Sequence, residues 1–146
     1  MKTPTQVQLA VARRLLAHEA NESDSAEARA AAAVHIHDKV FARLASLLGA
    51  GGACALYARS VKATAIDVPS LRSVDLDTKP NGSSVEPLLA FLREATPAVA
   101  TESATAICTS LLVLLTTLSG ERLTFQILRS AWPTFDASAP NEETNR

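Results

Sequence analysis

From Thr5 to Trp132 the apolar residues recur every three or four positions, the spacing that keeps one face of an α-helix apolar. No stretch shows the alternation with a period of two that a half-buried strand requires. Capping signals cut the pattern into segments. Thr3-Pro4-Thr5-Gln6 supplies an N-cap, a proline in the first helical position and a Gln three residues on, which predicts a first helix to about Ala20. "NESD" interrupts it, and Asp24 with Glu27 makes a second capping box ahead of a long helix to Leu48. "GAGG", Gly49 to Gly52, offers the left-handed backbone that ends a helix and turns the chain. A third helix is expected from about Ala53 to Ile66. Residues 67–84 form the longest irregular stretch, with one turn after Pro69. Ser83 or Ser84 then caps a short helix through Glu94, Thr96-Pro97 opens another that ends at Ser119-Gly120, and Glu121 to Trp132 forms the last before Pro133. Residues 136–146 lack an apolar stripe and read as a disordered C-terminal tail, leaving a single helical domain over 1–135.

Residues 103–120, "SATAICTSLLVLLTTLSG", carry no charge at all. A helix without a charged side has to be covered nearly all round. Ile107, Leu111, Leu114, Leu115 and Leu118 make one apolar face. Ser103, Ser110 and Thr117, spaced by seven, allow a close crossing on another side, and Thr105, Thr109 and Thr116 can return their hydroxyls to the carbonyl one turn back. The expected fold is therefore all-α, a compact bundle of about six helices around this central uncharged helix. Membrane crossing is not expected of it. Seven of its residues are Ser or Thr, the apolar block from Ile107 to Leu115 is short, and no cationic flank or aromatic belt accompanies it.

Composition refines this picture. Hydrophobic residues make up 47% of the chain, but 27 residues are alanine and aromatics are only 4%, so helices can approach closely. A net charge of −1 spread along the chain gives no basic face, which argues against nucleic acid or an anionic membrane as partner. Cys54 and Cys108 lie in apolar helical surroundings without CxxC spacing and read as small buried hydrophobes of a reducing compartment. "MKTPTQVQLA" lacks the apolar run of a signal peptide, so a cytoplasmic location is expected.

Candidate chemistry is sparse. His35 and His37 stand two apart, but on a helix they point roughly 160° away from each other, so they cannot chelate one ion. His37 shares a face with Ala30, Ala33, Ile36, Val40, Phe41, Leu44, Leu47 and Leu48, whereas His35 belongs with solvent. His37 is expected to be a neutral core histidine bonded to a carbonyl or carboxylate; the sharper alternative pairs it with His18. "GAGGAC" lacks the preceding strand and the lysine of a phosphate loop. "DLDTKPNG" puts Lys79 and Pro80 where a calcium loop needs a ligand and a glycine. "LLTTLSGERLTFQILRSAW" leaves its second helix too narrow a polar stripe to read DNA. No nucleophile is visibly paired with a base, so neither catalysis, nor a metal, nor a cofactor is expected.

What remains is a non-catalytic protein-interaction or regulatory module, self-associating as a homodimer and open to another protein partner. On the first helix Val7, Val11 and Leu15 face one way while Leu9, Leu16 and Ala20 face the other, and the second stripe, with Arg13 beside it, is the expected interface. The alternative is a helical carrier or sensor of a small apolar ligand, held near Cys54, Tyr57 and Val61 with His18 and His37 at hand.

Overall fold

The computed structural model describes residues 4–20, 25–74, 76 and 85–133. These form α1 (Pro4–Glu19), α2 (Ala26–Thr64), a 3₁₀ turn (Pro69–Ser73), α3 (Glu86–Glu94), α4 (Pro97–Ser119) and α5 (Glu121–Ala131). Strands are absent among the described residues. The expected tail, the Thr3 cap and the Ser83/Ser84 cap lie outside them.

In space α2 is two rods joined at a kink. Gly49 sits in its middle with φ 82° and ψ 157°. The chain folds back there, because His37 and Tyr57, 20 residues apart, approach to 2.9 Å; a straight helix would hold them roughly 30 Å apart. The arms 26–48 and 50–64 therefore lie side by side, and with the other four helices they make six rods. Only the first glycine of "GAGG" takes the positive φ. Helix resumes at Ala50, three residues earlier than expected, and Gly52 sits so close to Leu48 that a Cβ there would lie 3.1 Å from Leu48 Cβ. The cap of α2 is Ser25, whose Oγ accepts the N–H of Ala28 at 3.2 Å, rather than Asp24. Thr96 caps α4 as anticipated, accepting from Val99 N–H at 3.3 Å.

The uncharged helix does sit at the centre, since α4 touches α1, α2, α3 and α5. Its buried side holds Ala100, Ser103, Ala104, Ile107, Cys108, Leu111, Leu112 and Leu115. Alanines at Ala12, Ala33, Ala53, Ala100 and Ala104, all essentially without exposure, let these helices pack closely. Three leucines assigned to the core face are instead in solvent. Leu47, Leu48 and Leu118 are 60%, 51% and 62% exposed. Ala26 lies by Pro97 and Ala98, and His37 meets Ala104, so the arm 26–48 and α4 run in the same direction. At the end of the first arm, Leu47 borders an open hollow shared with Leu123, Gln126, Ile127 and Ser130 of α5.

By length and composition α2 and α4 are each apolar enough to cross a membrane. The reversal at Gly49 divides α2 into shorter arms, and half of the most apolar window of α4 is buried inside the fold.

A polar clamp fastens α1, α2 and the end of α5 together. Trp132, just past α5, donates its indole N–H to Glu19 at the end of α1 at 2.6 Å, a bond spanning 113 residues. Lys39 of α2 donates to the same carboxylate oxygen at 2.9 Å and lies 5.5 Å over the indole ring. Partial burial pushes the Glu19 carboxyl up, but the bonds from Trp132 and Lys39 and the nearby His35 outweigh it and hold the group below the ordinary carboxylate range. Glu19→Ala should cost about 2 kcal/mol, because it leaves a buried indole N–H without an acceptor. It should also shift the emission of the protein's one tryptophan. Glu19→Gln keeps an acceptor and should lose less. Thermal melts with fluorescence readout decide it, and two variants indistinguishable from wild type would show that the clamp carries no stability.

Candidate functional site

Besides the clamp at Glu19, polar side chains gather in the interior between the arms of α2 and α4 and along an open groove beside α1.

His37, in the interior, has no exposure. Its Nε2 lies 2.9 Å from the carbonyl oxygen of Ala104, which can only accept, so Nε2 carries the proton. Neutral imidazole then presents Nδ1 as an acceptor, and Tyr57 Oη donates to it at 2.9 Å, with the His37 carbonyl a longer branch at 3.3 Å. The rings meet edge to face at 5.5 Å, and Phe41 closes on Tyr57 from the other side at 6.0 Å. Burial drives the His37 pKa down to about 4 against the weaker opposing pull of the Ala104 carbonyl. Burial likewise raises the Tyr57 hydroxyl well above its usual value, with further small pushes from Cys108 and Asp38, and takes the Cys108 thiol up to about 12. These groups are held in their neutral forms at pH 7. The arrangement is a structural polar pair that fixes the register of the two arms against α4.

This placement sorts the sequence candidates. His37, Cys54 and Tyr57 share the sealed core, all without exposure. His18 is half-buried on α1, and neither ring nitrogen of His37 is given to it. His35 is exposed and lies 3.7 Å from Glu19. Among the described residues no group of three or more metal-ligating side chains comes together. Of the five proposed ligand contacts Val61 borders a hollow, one of about 480 Å³ between the second arm of α2 and Leu71, Arg72, Val74 and Leu76. Ile66, Leu71, Val74 and Leu76 supply its apolar lining, and Lys62 and Arg72 stand at its edge.

The groove is larger, about 840 Å³, and lies where α1, the start of α2 and the first half of α4 diverge. Leu9, Arg13 and Leu16 line it from α1, Ala26 and Arg29 from α2, and Pro97, Ala98, Thr101, Glu102, Thr105 and Ala106 from α4. All three residues expected at an interface are here, but in different states. Leu16 is 4% exposed and belongs to the chain's own core; Leu9 is half-buried and Arg13 exposed. α1 packs on both α4 and α2, so most of its second stripe is used within the chain. The α4 wall was not foreseen. Its signal in the sequence is Glu102, the one charged residue between Pro97 and Ser119.

Compared with protein-family models, with characterised proteins and with solved structures, the chain matches none.

Proposed function

We propose that this protein is a non-catalytic helical interaction module that works by self-association through the groove of α1 and α4. The observation that carries this reading is the contrast between the two places. His37 and Tyr57 in the interior are sealed off and bonded within the chain, whereas the open groove presents Leu9, Ala98, Thr101 and Ala106 with charges only at Arg13, Arg29 and Glu102. An uncharged floor with a charged rim is the layout of a protein contact surface. A two-fold dimer covers such a face with its own copy.

Sedimentation velocity from low to high micromolar concentration tests it. Wild type should pass from monomer to dimer, and Leu9→Glu should remain a folded monomer. Leu16→Glu cannot serve as that probe, since a charge in the intramolecular core unfolds the chain whatever the oligomeric state. Wild type that stays monomeric throughout would remove this reading.

The hollow beside Val61 favours a second reading, a carrier or sensor of a small apolar ligand, since its volume falls in the range of small-molecule sites. A thermal-shift screen with medium-chain fatty acids and alcohols should then raise the melting temperature through linkage, and Val61→Trp should abolish the rise. No shift with any of them would leave the hollow as a packing defect.

A further inference from the structure

We infer that the groove is built for a second copy of this chain placed on a two-fold axis, with Arg13 of each copy paired to Glu102 of the other. The inference rests on the self-association proposed above and adds its geometry.

Arg13 and Glu102 stand on opposite walls of the groove, one on α1 and one on α4. Both are exposed. Neither makes an ion pair or hydrogen bond with any described residue, although they share one concavity and bear opposite charge. Glu102 is also the only charge on a helix that is otherwise without any, so no neighbouring cation on α4 can satisfy it. An unpaired cation on one wall and an unpaired anion on the other are the charge layout that a two-fold contact completes. The axis exchanges the walls, so that residue i meets residue j of the partner and j meets i. One cross-pairing then satisfies four charges. Between the two pairs lie the uncharged side chains of Leu9, Ala98 and Ala106, which would form the dry centre of the contact.

Other occupants fit less well. A basic or acidic peptide would satisfy one wall and oppose the other, and a neutral ligand would leave both charges unanswered.

The test is charge exchange in the full chain, followed by sedimentation equilibrium. Arg13→Glu alone sets like charges against each other twice per dimer, and Glu102→Arg alone does the same with the opposite sign. Each should weaken the dimer at least about tenfold, as like-charge contacts across an interface do. The double variant, Arg13→Glu with Glu102→Arg, should return the dissociation constant to within about threefold of wild type. Raising the salt should weaken wild type and the double variant alike. Both positions are exposed, and thermal melts matching wild type confirm that each variant folds. If Leu9→Glu dissociates the dimer while either single charge variant dimerises normally, self-association through the groove stands and the reciprocal pairing is overturned. A folded double variant that stays monomeric also overturns the pairing. A wild-type monomer at every concentration overturns both the pairing and the reading on which it rests, and transfers the groove to a different occupant.

Discussion

Stability is expected to fall by about 3 kcal/mol as the pH is lowered from 6.5 to 4, and His37 is the cause. Its folded pKa is about 4, against an ordinary value near 6.5 in the unfolded chain. Above pH 6.5 the imidazole is neutral in both states and contributes no slope. Between 6.5 and 4 the unfolded chain takes up a proton that the folded chain refuses, so each unit of acid costs about 1.4 kcal/mol. Below about pH 4 both states are protonated and the slope ends. Glu19 acts over a lower window: its folded pKa is depressed, so its contribution is lost as the pH falls below the ordinary carboxylate value. Urea titrations across the range should show the His37 slope, and His37→Leu should remove it. The same variant should be less stable by about 2–4 kcal/mol at pH 7, because the Ala104 carbonyl loses its donor in the core and the Tyr57 hydroxyl keeps only the longer bond to the carbonyl of residue 37. His35→Ala, on the surface, should retain the slope and change stability at pH 7 by no more than about 0.5 kcal/mol. Parallel pH profiles for wild type and His37→Leu would assign the acid sensitivity elsewhere.

Two glycines two residues apart should respond to alanine with opposite signs. Gly49 has φ 82° and ψ 157°, a region open to glycine and closed to L side chains. Nothing lies within 4 Å of where its Cβ would be, so the cost of Gly49→Ala is backbone strain alone, about 1–3 kcal/mol. Gly49→Val should cost more, since branching at Cβ narrows the allowed backbone further. Gly51 is helical and exposed, and Gly51→Ala should stabilise by up to about 1 kcal/mol. Chemical denaturation of the three variants is sufficient. A neutral Gly49→Ala would show that the arms of α2 can reverse without a positive φ.

Much of this fold was legible because helices announce themselves locally. The central position of α4 followed from its lack of charge, and the division of the two histidines followed from the 100° step between residues. The choice of Gly49 within "GAGG" was not legible, because any of its glycines can supply a positive φ and the choice is made by how the arms pack. Leu47, Leu48 and Leu118 continue their apolar faces perfectly well in sequence. Periodicity marks a face, but it does not say where the neighbouring helix ends. Of the groove, the α1 side was readable from its second stripe. The α4 side was not, since Pro97, Ala98 and Thr101 have no property that distinguishes them before the helices are placed. The bond between Tyr57 and His37 was beyond reach for the same reason: it depends on the reversal at Gly49, not on spacing.

The reliance of α1 on α4 also orders events as the chain is made. The two arms of α2 meet through residues 20 apart and can associate as soon as residues 26–64 are clear of the ribosome. α1 is made before α4, yet its most extensive packing is with that helix, and its clamp to Trp132 waits for residues 113 positions further on. At ordinary rates of translation that delay is on the order of ten seconds. Throughout it, Val11, Leu15 and Leu16 have only the smaller contact of α1 with α2 to cover them. A helix made well before α4 and α5 is thus fully buried only after them, and nascent α1 is where a chaperone would be expected to bind.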